Sequence, residues 1–202
     1  MEEVMKIDQV MIKEMMNSEA VGQYAAAVRI SEAWYFIPMV IASSLFPAIV
    51  NAKKISEELY YARLQKLYDL VVWIAIAIAI PMTFLSDWVV NFLYGSQYNQ
   101  AGSVLMIHIW TGVFVFLGSA GAFYTIENYT KIFFFKSLIG SFSNIILNYL
   151  LIPKYGITYV AVATLVSQIL VNYLLDFFIP KTRSQFFLKS KSFFPIHLLK
   201  DN

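Results

Sequence analysis

The sequence predicts an all-α integral membrane protein, a six-helix bundle whose first helix is truncated. Three observations carry this. Of 202 residues, 59% are hydrophobic and 14% charged, with a mean hydropathy of +0.62, whereas soluble domains run at roughly half apolar and a quarter charged. Several apolar runs reach the roughly 20 residues that a bilayer crossing requires. The basic residues collect in alternate connections between those runs. An aromatic content of 17% agrees, since Trp and Tyr gather at membrane–water interfaces. A net charge of +2 is too small to imply a nucleic-acid partner, and the absence of cysteine excludes disulfides and thiolate metal sites.

Residues 1–16 read as the far end of a truncated helix, because apolar residues recur through KIDQVMIKEMM without strand alternation. The acidic opening MEEVMKIDQV lacks the basic n-region of a signal peptide. Residues 21–50 form the first whole span and carry Arg29, Glu32, Pro38 and Pro47. Residues 51–66, with Lys53, Lys54, Arg63 and Lys66, read as a polar loop. The second span is 67–85; its IAIAIAI core alternates, but without the polar partners a half-buried strand would have. Residues 86–102, interrupted by Gly95, read as an interfacial turn or short helix.

The third span, 103–124, is punctuated by Gly112, Gly118 and Gly121, which permits close helix packing. The fourth span is 132–152, and PKYG at 153–156 reads as a tight turn into the fifth, 157–179. Pro180 opens a basic tail with Lys181, Arg183, Lys189, Lys191 and Lys200, and residues 184–202 are assigned to the cytoplasm. Eleven of the fifteen Lys and Arg fall in the 51–66 loop, at Lys131 and Lys136, and in the tail. The positive-inside rule then places that loop and the C-terminus in the cytoplasm. The count of crossings is consistent when the clipped first helix is a sixth.

Charge at membrane depth is expensive and marks pathways. Arg29 and Glu32, three residues apart, share a helix face. Two readings stand side by side: a site for an anion, with Arg29 a bidentate donor to phosphate, or a self-neutralised pair whose arginine snorkels to the outer interface. Ser137, Ser141, Asn144 and Asn148 form one polar face, and Thr164, Gln168, Asn172 and Asp176 recur every fourth residue. Two such stripes imply a hydrated cavity between helices. The alternative is plain interhelical hydrogen bonding, favoured for Ser137, Ser141 and Thr164.

Asp176 reads as interfacial, and Asp69 as a local partner for Lys66. His108 is a packing residue more often than a proton relay. The basic loop fits contact with anionic lipid headgroups or an ordinary positive-inside loop equally well. No HExxH, GxSxG, P-loop or dinucleotide-binding pattern occurs, so neither catalysis nor a cofactor is expected.

Five segments, in this order and spacing, carry a resemblance: IDQVMI (7–12), VGQYAAAVRISEAWYFIP (21–38), FPAIVNAKK (46–54), LYGSQYNQAG (93–102) and NIILNYLLIPKYGITYVAVAT (144–164). The chain to about residue 183 resembles the C-terminal half of Wzx-type polysaccharide flippases, relatives of the multidrug exporters called MATE and of the lipid II flippase. The resemblance implies one bundle of a twelve-helix, MATE-like alternating-access transporter. It implies a bacterial inner-membrane location and a cargo of oligosaccharide on undecaprenyl diphosphate, for surface polysaccharides such as O-antigen. Arg29, in A-x-R-I before a proline, matches an arginine placed to hold the diphosphate in the lipid II flippase; Asp8 matches the Asp of a D-x-V-M-I segment. The substrate-binding set expected from residues and resemblance together is Arg29, Glu32, Asp8, Asn144, Asn148, Gln168 and Asn172. A full-length member has twelve or more helices, so the expected partners are membrane lipids and a separately supplied N-terminal half. A drug or cation antiporter of the same fold and a non-transporting remnant are the alternatives.

Overall fold

The computed structural model describes residues 2–119 and 121–194, which include helices and turns but no strand. Lys200 and His197 lie outside the described residues. Helix α1 spans Glu2–Met15 and α2 spans Ser18–Glu32. Asn17 starts α2 by accepting the Ala20 amide at 2.8 Å, satisfying a donor that a helix start leaves open. α2 ends in a tight turn, and α3 (Phe36–Ile55) begins two residues before Pro38. Proline lacks an N–H, so the chain restarts its helix where Pro38 falls in the first turn and none is needed.

The segment expected as a polar loop at 51–66 is helical except at Ser56. α3 runs to Ile55, Ser56 caps the next helix by accepting the Leu59 amide at 3.1 Å, and α4 continues unbroken from Glu57 to Tyr94. Lys53 and Lys54 close one helix and Glu57 and Glu58 open the next, each sign complementing its helix dipole. The stretch is polar because it is charged, and Glu, Lys, Arg and Leu are good helix formers. α4 likewise runs through much of the expected interfacial segment, stopping at Gly95 with φ +88°. A short 3₁₀ turn, Ser96–Tyr98, leads into α5 (Ala101–His108).

The third expected span is broken. α5 and α6 (Thr111–Ser119) are separated at Ile109–Trp110, and α7 is Ala122–Ile126. α8 spans Thr130–Tyr155, so the expected turn at 153–156 is confined to Gly156, whose φ of +73° suits glycine. α9 (Ile157–Ile169) passes through a π-helical turn at Leu170–Leu174 into α10 (Leu175–Phe178). The basic tail is partly structured: a 3₁₀ turn at Pro180–Thr182 precedes α11 (Arg183–Phe193).

Among the described residues, four segments are long and apolar enough to cross a membrane: Ser18–Ile55, Glu57–Tyr94, Thr130–Tyr155 and Ile157–Phe178. A fifth results if Ala101–His108 and Thr111–Ile126, bent by 41°, form one crossing. Large apolar side chains such as Phe84, Trp88 and Phe92 on α4 and Phe135 and Phe142 on α8 face outward, as lipid-facing helices require.

Two apolar cores form at opposite ends of α4. One gathers Tyr60, Leu64, Tyr68 and Val72 with Phe116, Leu117 and Phe123. The other gathers Val90 with Ile12, Tyr24, Val104, Ile152 and Val160. Most of the basic residues share the first end: Lys53 pairs with Glu127, and Lys181 lies over the Tyr129 ring.

Candidate functional site

The polar faces of α8 and α9 converge. Asp8, from α1, is fully buried against them. The Tyr24 hydroxyl donates to Asp8 Oδ2 at 2.9 Å, Asn148 Nδ2 donates to Oδ1 at 2.6 Å, and the Thr164 hydroxyl lies 3.0 Å from Oδ2. Asn148 Nδ2 also reaches Asn144 Oδ1 at 3.1 Å, and Asn144 Nδ2 donates to Thr164 Oγ1 at 3.3 Å. α1, α2, α8 and α9 are thereby fastened to one carboxylate. The helical spacing explains the register: Asn144 and Asn148 are one turn apart on α8, so both amides face the same neighbour.

The charge of this network is unbalanced. Among the described residues, no Lys, Arg or His makes an ion pair with Asp8. A buried carboxylate among neutral donors is costly unless something neutralises it. Asn148 Oδ1 has no hydrogen-bond partner, and Asn144 Oδ1, Thr164 Oγ1 and the Val160 carbonyl are close at hand. A buried carboxylate without a counter-charge has the chemistry to take up a proton.

Beside the network is a cavity of about 290 Å³ between α6, α8 and α9, lined by Ser137, Ser141, Asn144, Thr164, Gln168 and Asn172 among others. The cavity implied by the two stripes is present. Thr164 bonds across helices, whereas Ser137 and Ser141 bond carbonyls of their own helix, Phe133 and Ser137. Asn172 Nδ2 donates to Gln168 Oε1 at 2.6 Å on the same wall.

The walls meet closely because two positions lack side chains. A Cβ at Gly118 would lie 2.3 Å from Asn172 Oδ1, and one at Gly140 would lie 2.0 Å from Val171 Cγ2. Gly140→Val is expected to destabilise the bundle by about 1–3 kcal/mol, the usual cost of overpacking. A melting curve in detergent measures this, and Gly140→Ala should fall between the two.

Arg29 and Glu32 are placed differently. Arg29 is exposed in the last turn of α2, Glu32 is half-buried at its end, and neither lines this cavity. Of the seven expected site residues, the structure joins Asp8, Asn144 and Asn148 in one network, and lines the cavity with Asn144, Gln168 and Asn172. Tyr24 completes the network but had no mark in the sequence beyond an apolar setting.

Three further expectations change. Asp176, expected at the interface, is fully buried, as are Lys136, counted with the cytoplasmic-side basic residues at the start of the fourth span, and Lys189, expected in the tail. Lys136 and Lys189 bracket the Asp176 carboxylate, Lys189 at 2.8 Å, and the Tyr124 hydroxyl donates to it as well. α11 causes this by folding back with its polar residues Gln185, Lys189 and Ser192 inward. Asp69 is also buried, accepting from Gln65 Nε2 at 2.8 Å. His108 is packed, with Nδ1 2.9 Å from the Ser31 hydroxyl.

A family described as polysaccharide biosynthesis protein matches residues 2–103, half of the chain. The chain belongs to that family. The matched half supplies Asp8 and Tyr24; Asn144, Asn148 and Thr164 come from beyond it, so the network joins the family segment to the remainder. No curated protein and no solved structure matches the chain.

Proposed function

We propose that this family member is one helical bundle of a flippase that moves undecaprenyl-diphosphate-linked oligosaccharide across the bacterial inner membrane, working with a separately supplied N-terminal half. The observation that supports it most is a cavity with Ser, Asn, Gln and Thr set among apolar side chains, between apolar spanning helices, in a chain of a polysaccharide biosynthesis family. A membrane-embedded wall of Ser, Asn, Gln and Thr suits the hydroxyls of a sugar. The chain acts in transport and not as an enzyme, with its basic end and C-terminus in the cytoplasm by the positive-inside rule. Its partners are the lipid-linked oligosaccharide and the surrounding lipids.

Asp8 supports an ion-coupled cycle, because a proton or cation bound there would alter the contacts among α1, α2, α8 and α9. Arg29, at the end of α2, is assigned to the diphosphate, with Glu32 beside it. The buried, uncompensated Asp8 also favours a second reading, a cation-coupled drug antiporter of the same fold.

Complementation tests the first reading. In cells lacking a flippase, this chain with a matching N-terminal half should restore surface polysaccharide, and Arg29→Ala should remove it. Restored export by Arg29→Ala removes that residue from the site. Drug resistance without polysaccharide export selects the antiporter.

A further inference from the structure

We propose that Lys136, Lys189 and Tyr124 form an oxyanion site for a phosphate-type group, occupied in the present structure by the chain's own Asp176. The proposal rests on the flippase reading for the source of that group, a lipid-linked diphosphate, while the site itself is defined by its geometry.

Three donors from three elements converge on one carboxylate. Lys136 of α8 reaches Asp176 Oδ1 at 2.5 Å, Lys189 of α11 reaches Oδ2 at 2.8 Å, and the Tyr124 hydroxyl of α7 donates to Oδ1. Lys136 Nζ also lies 2.6 Å from the Tyr124 oxygen, and Lys189 Nζ donates to the Asn172 carbonyl at 2.6 Å. One carboxylate is matched by one ammonium. Two ammoniums and a phenol suit an anion with more charge and more oxygens, which is the chemistry of phosphate and diphosphate.

Stability is a poor account of such a cluster. All four side chains are buried, and buried ion pairs often stabilise no better than well-packed apolar residues of the same volume. Two other acids at this end are already engaged: Glu127 pairs with Lys53, and Asp69 on α4 holds Gln65, which in turn reaches Ser192 on α11.

One member of the cluster, and one residue in contact with it, border open space. Tyr124 lines a groove of about 580 Å³ between α3 and the α7–α8 region, and Asn172 lines the cavity between α6, α8 and α9. The Asn172 carbonyl that receives Lys189 belongs to the π-helical turn at Leu170–Leu174, an irregularity often found at functional sites. An entering phosphate would take Lys136 and Lys189 from Asp176. That exchange would loosen the tie of α11 to the last span, leaving the Tyr173–Ser190 contact there and the Tyr68–Gln185 and Gln65–Ser192 bonds to α4. Asp176 thus acts as an internal competitor that keeps the site closed until cargo arrives.

The test uses the full chain in phosphatidylcholine nanodiscs with inorganic pyrophosphate as the probe. Pyrophosphate should raise the Tm of Asp176→Asn by several degrees and that of the wild type far less, by mass-action stabilisation of the folded state. Adding Lys189→Gln should abolish the shift. Equal shifts in wild type and Asp176→Asn, or a shift that survives Lys136→Gln with Lys189→Gln, overturn the proposal. Should Asp176→Asn fail to fold, equilibrium binding of labelled pyrophosphate to wild type and Lys189→Gln decides. A loss of about tenfold or more in the variant supports the site; equal binding, or none to the wild type, overturns it. A larger Tm shift with farnesyl diphosphate than with pyrophosphate identifies a lipid-borne source, and equal shifts overturn the lipid assignment. Export restored without pyrophosphate binding refutes this site and leaves the flippase reading standing; binding without export does the reverse.

Discussion

Replacing Asp8 with alanine should destabilise the bundle by on the order of 3 kcal/mol and abolish transport. The Tyr24 hydroxyl, the Asn148 amide and the Thr164 hydroxyl all converge on this carboxylate. Removing it leaves the buried Tyr24 hydroxyl without an acceptor and a cavity beside it, while Asn148 keeps Asn144 Oδ1 and Thr164 keeps the Val160 carbonyl; a buried donor left unsatisfied costs roughly 1–3 kcal/mol. Asp8→Asn separates structure from coupling. It keeps the volume and one acceptor oxygen, and both hydroxyls can accept from the new amide, so the melting temperature should fall much less. It cannot carry the charge, so ion-coupled export should still fail. Melting in detergent alongside complementation reads the two effects separately, and full export by Asp8→Asn would reduce Asp8 to a structural fastener.

Asp176→Leu should cost about 3–5 kcal/mol, the usual penalty for breaking a buried pair by removing one partner. Here the stranded groups are two lysines at once, Lys136 at 2% exposure and Lys189 at 1%. The triple variant Lys136→Met, Asp176→Leu, Lys189→Met should recover most of that loss, since an apolar replacement of the whole cluster removes the desolvation cost along with the attraction. Protease resistance and melting in detergent measure both. A single variant as stable as the wild type would mean that the three side chains are not packed together in the membrane.

The helical membrane character was legible because it rests on bulk composition and on long apolar runs, which little can disguise. The stripes on α8 and α9 were legible because helical periodicity projects spacing directly onto a face. Asn144, Asn148, Gln168 and Asn172 therefore fell where their spacing put them. The charged residues misled. Lys136, Lys189 and Asp176 carry no local mark of burial, since each acquires its surroundings from residues 12 to 52 positions away along the chain. The 51–66 segment looked like a loop because polarity at a membrane surface is shared by loops and by protruding helices; only the cap at Ser56 tells them apart. Asp8 was flagged through a motif, and its partnership with Tyr24 and Asn148 depends on tertiary packing that spacing alone does not reveal.

Helix α4 has a mechanical consequence. At 1.5 Å per residue its 38 residues extend about 57 Å, nearly twice the roughly 30 Å hydrocarbon thickness. It threads the apolar cluster near the basic end, leaves it beyond Ala75, and enters the other at Val90. Between them lies Pro81, which has no N–H to offer the Ala77 carbonyl. The helix therefore lacks one rung of its hydrogen-bond ladder between the two cores, with Met82 just beyond the gap already packed against the second. Its one missing rung lies in the stretch of the helix that both cores leave least supported, so Pro81→Ala should raise the melting temperature of the bundle in detergent.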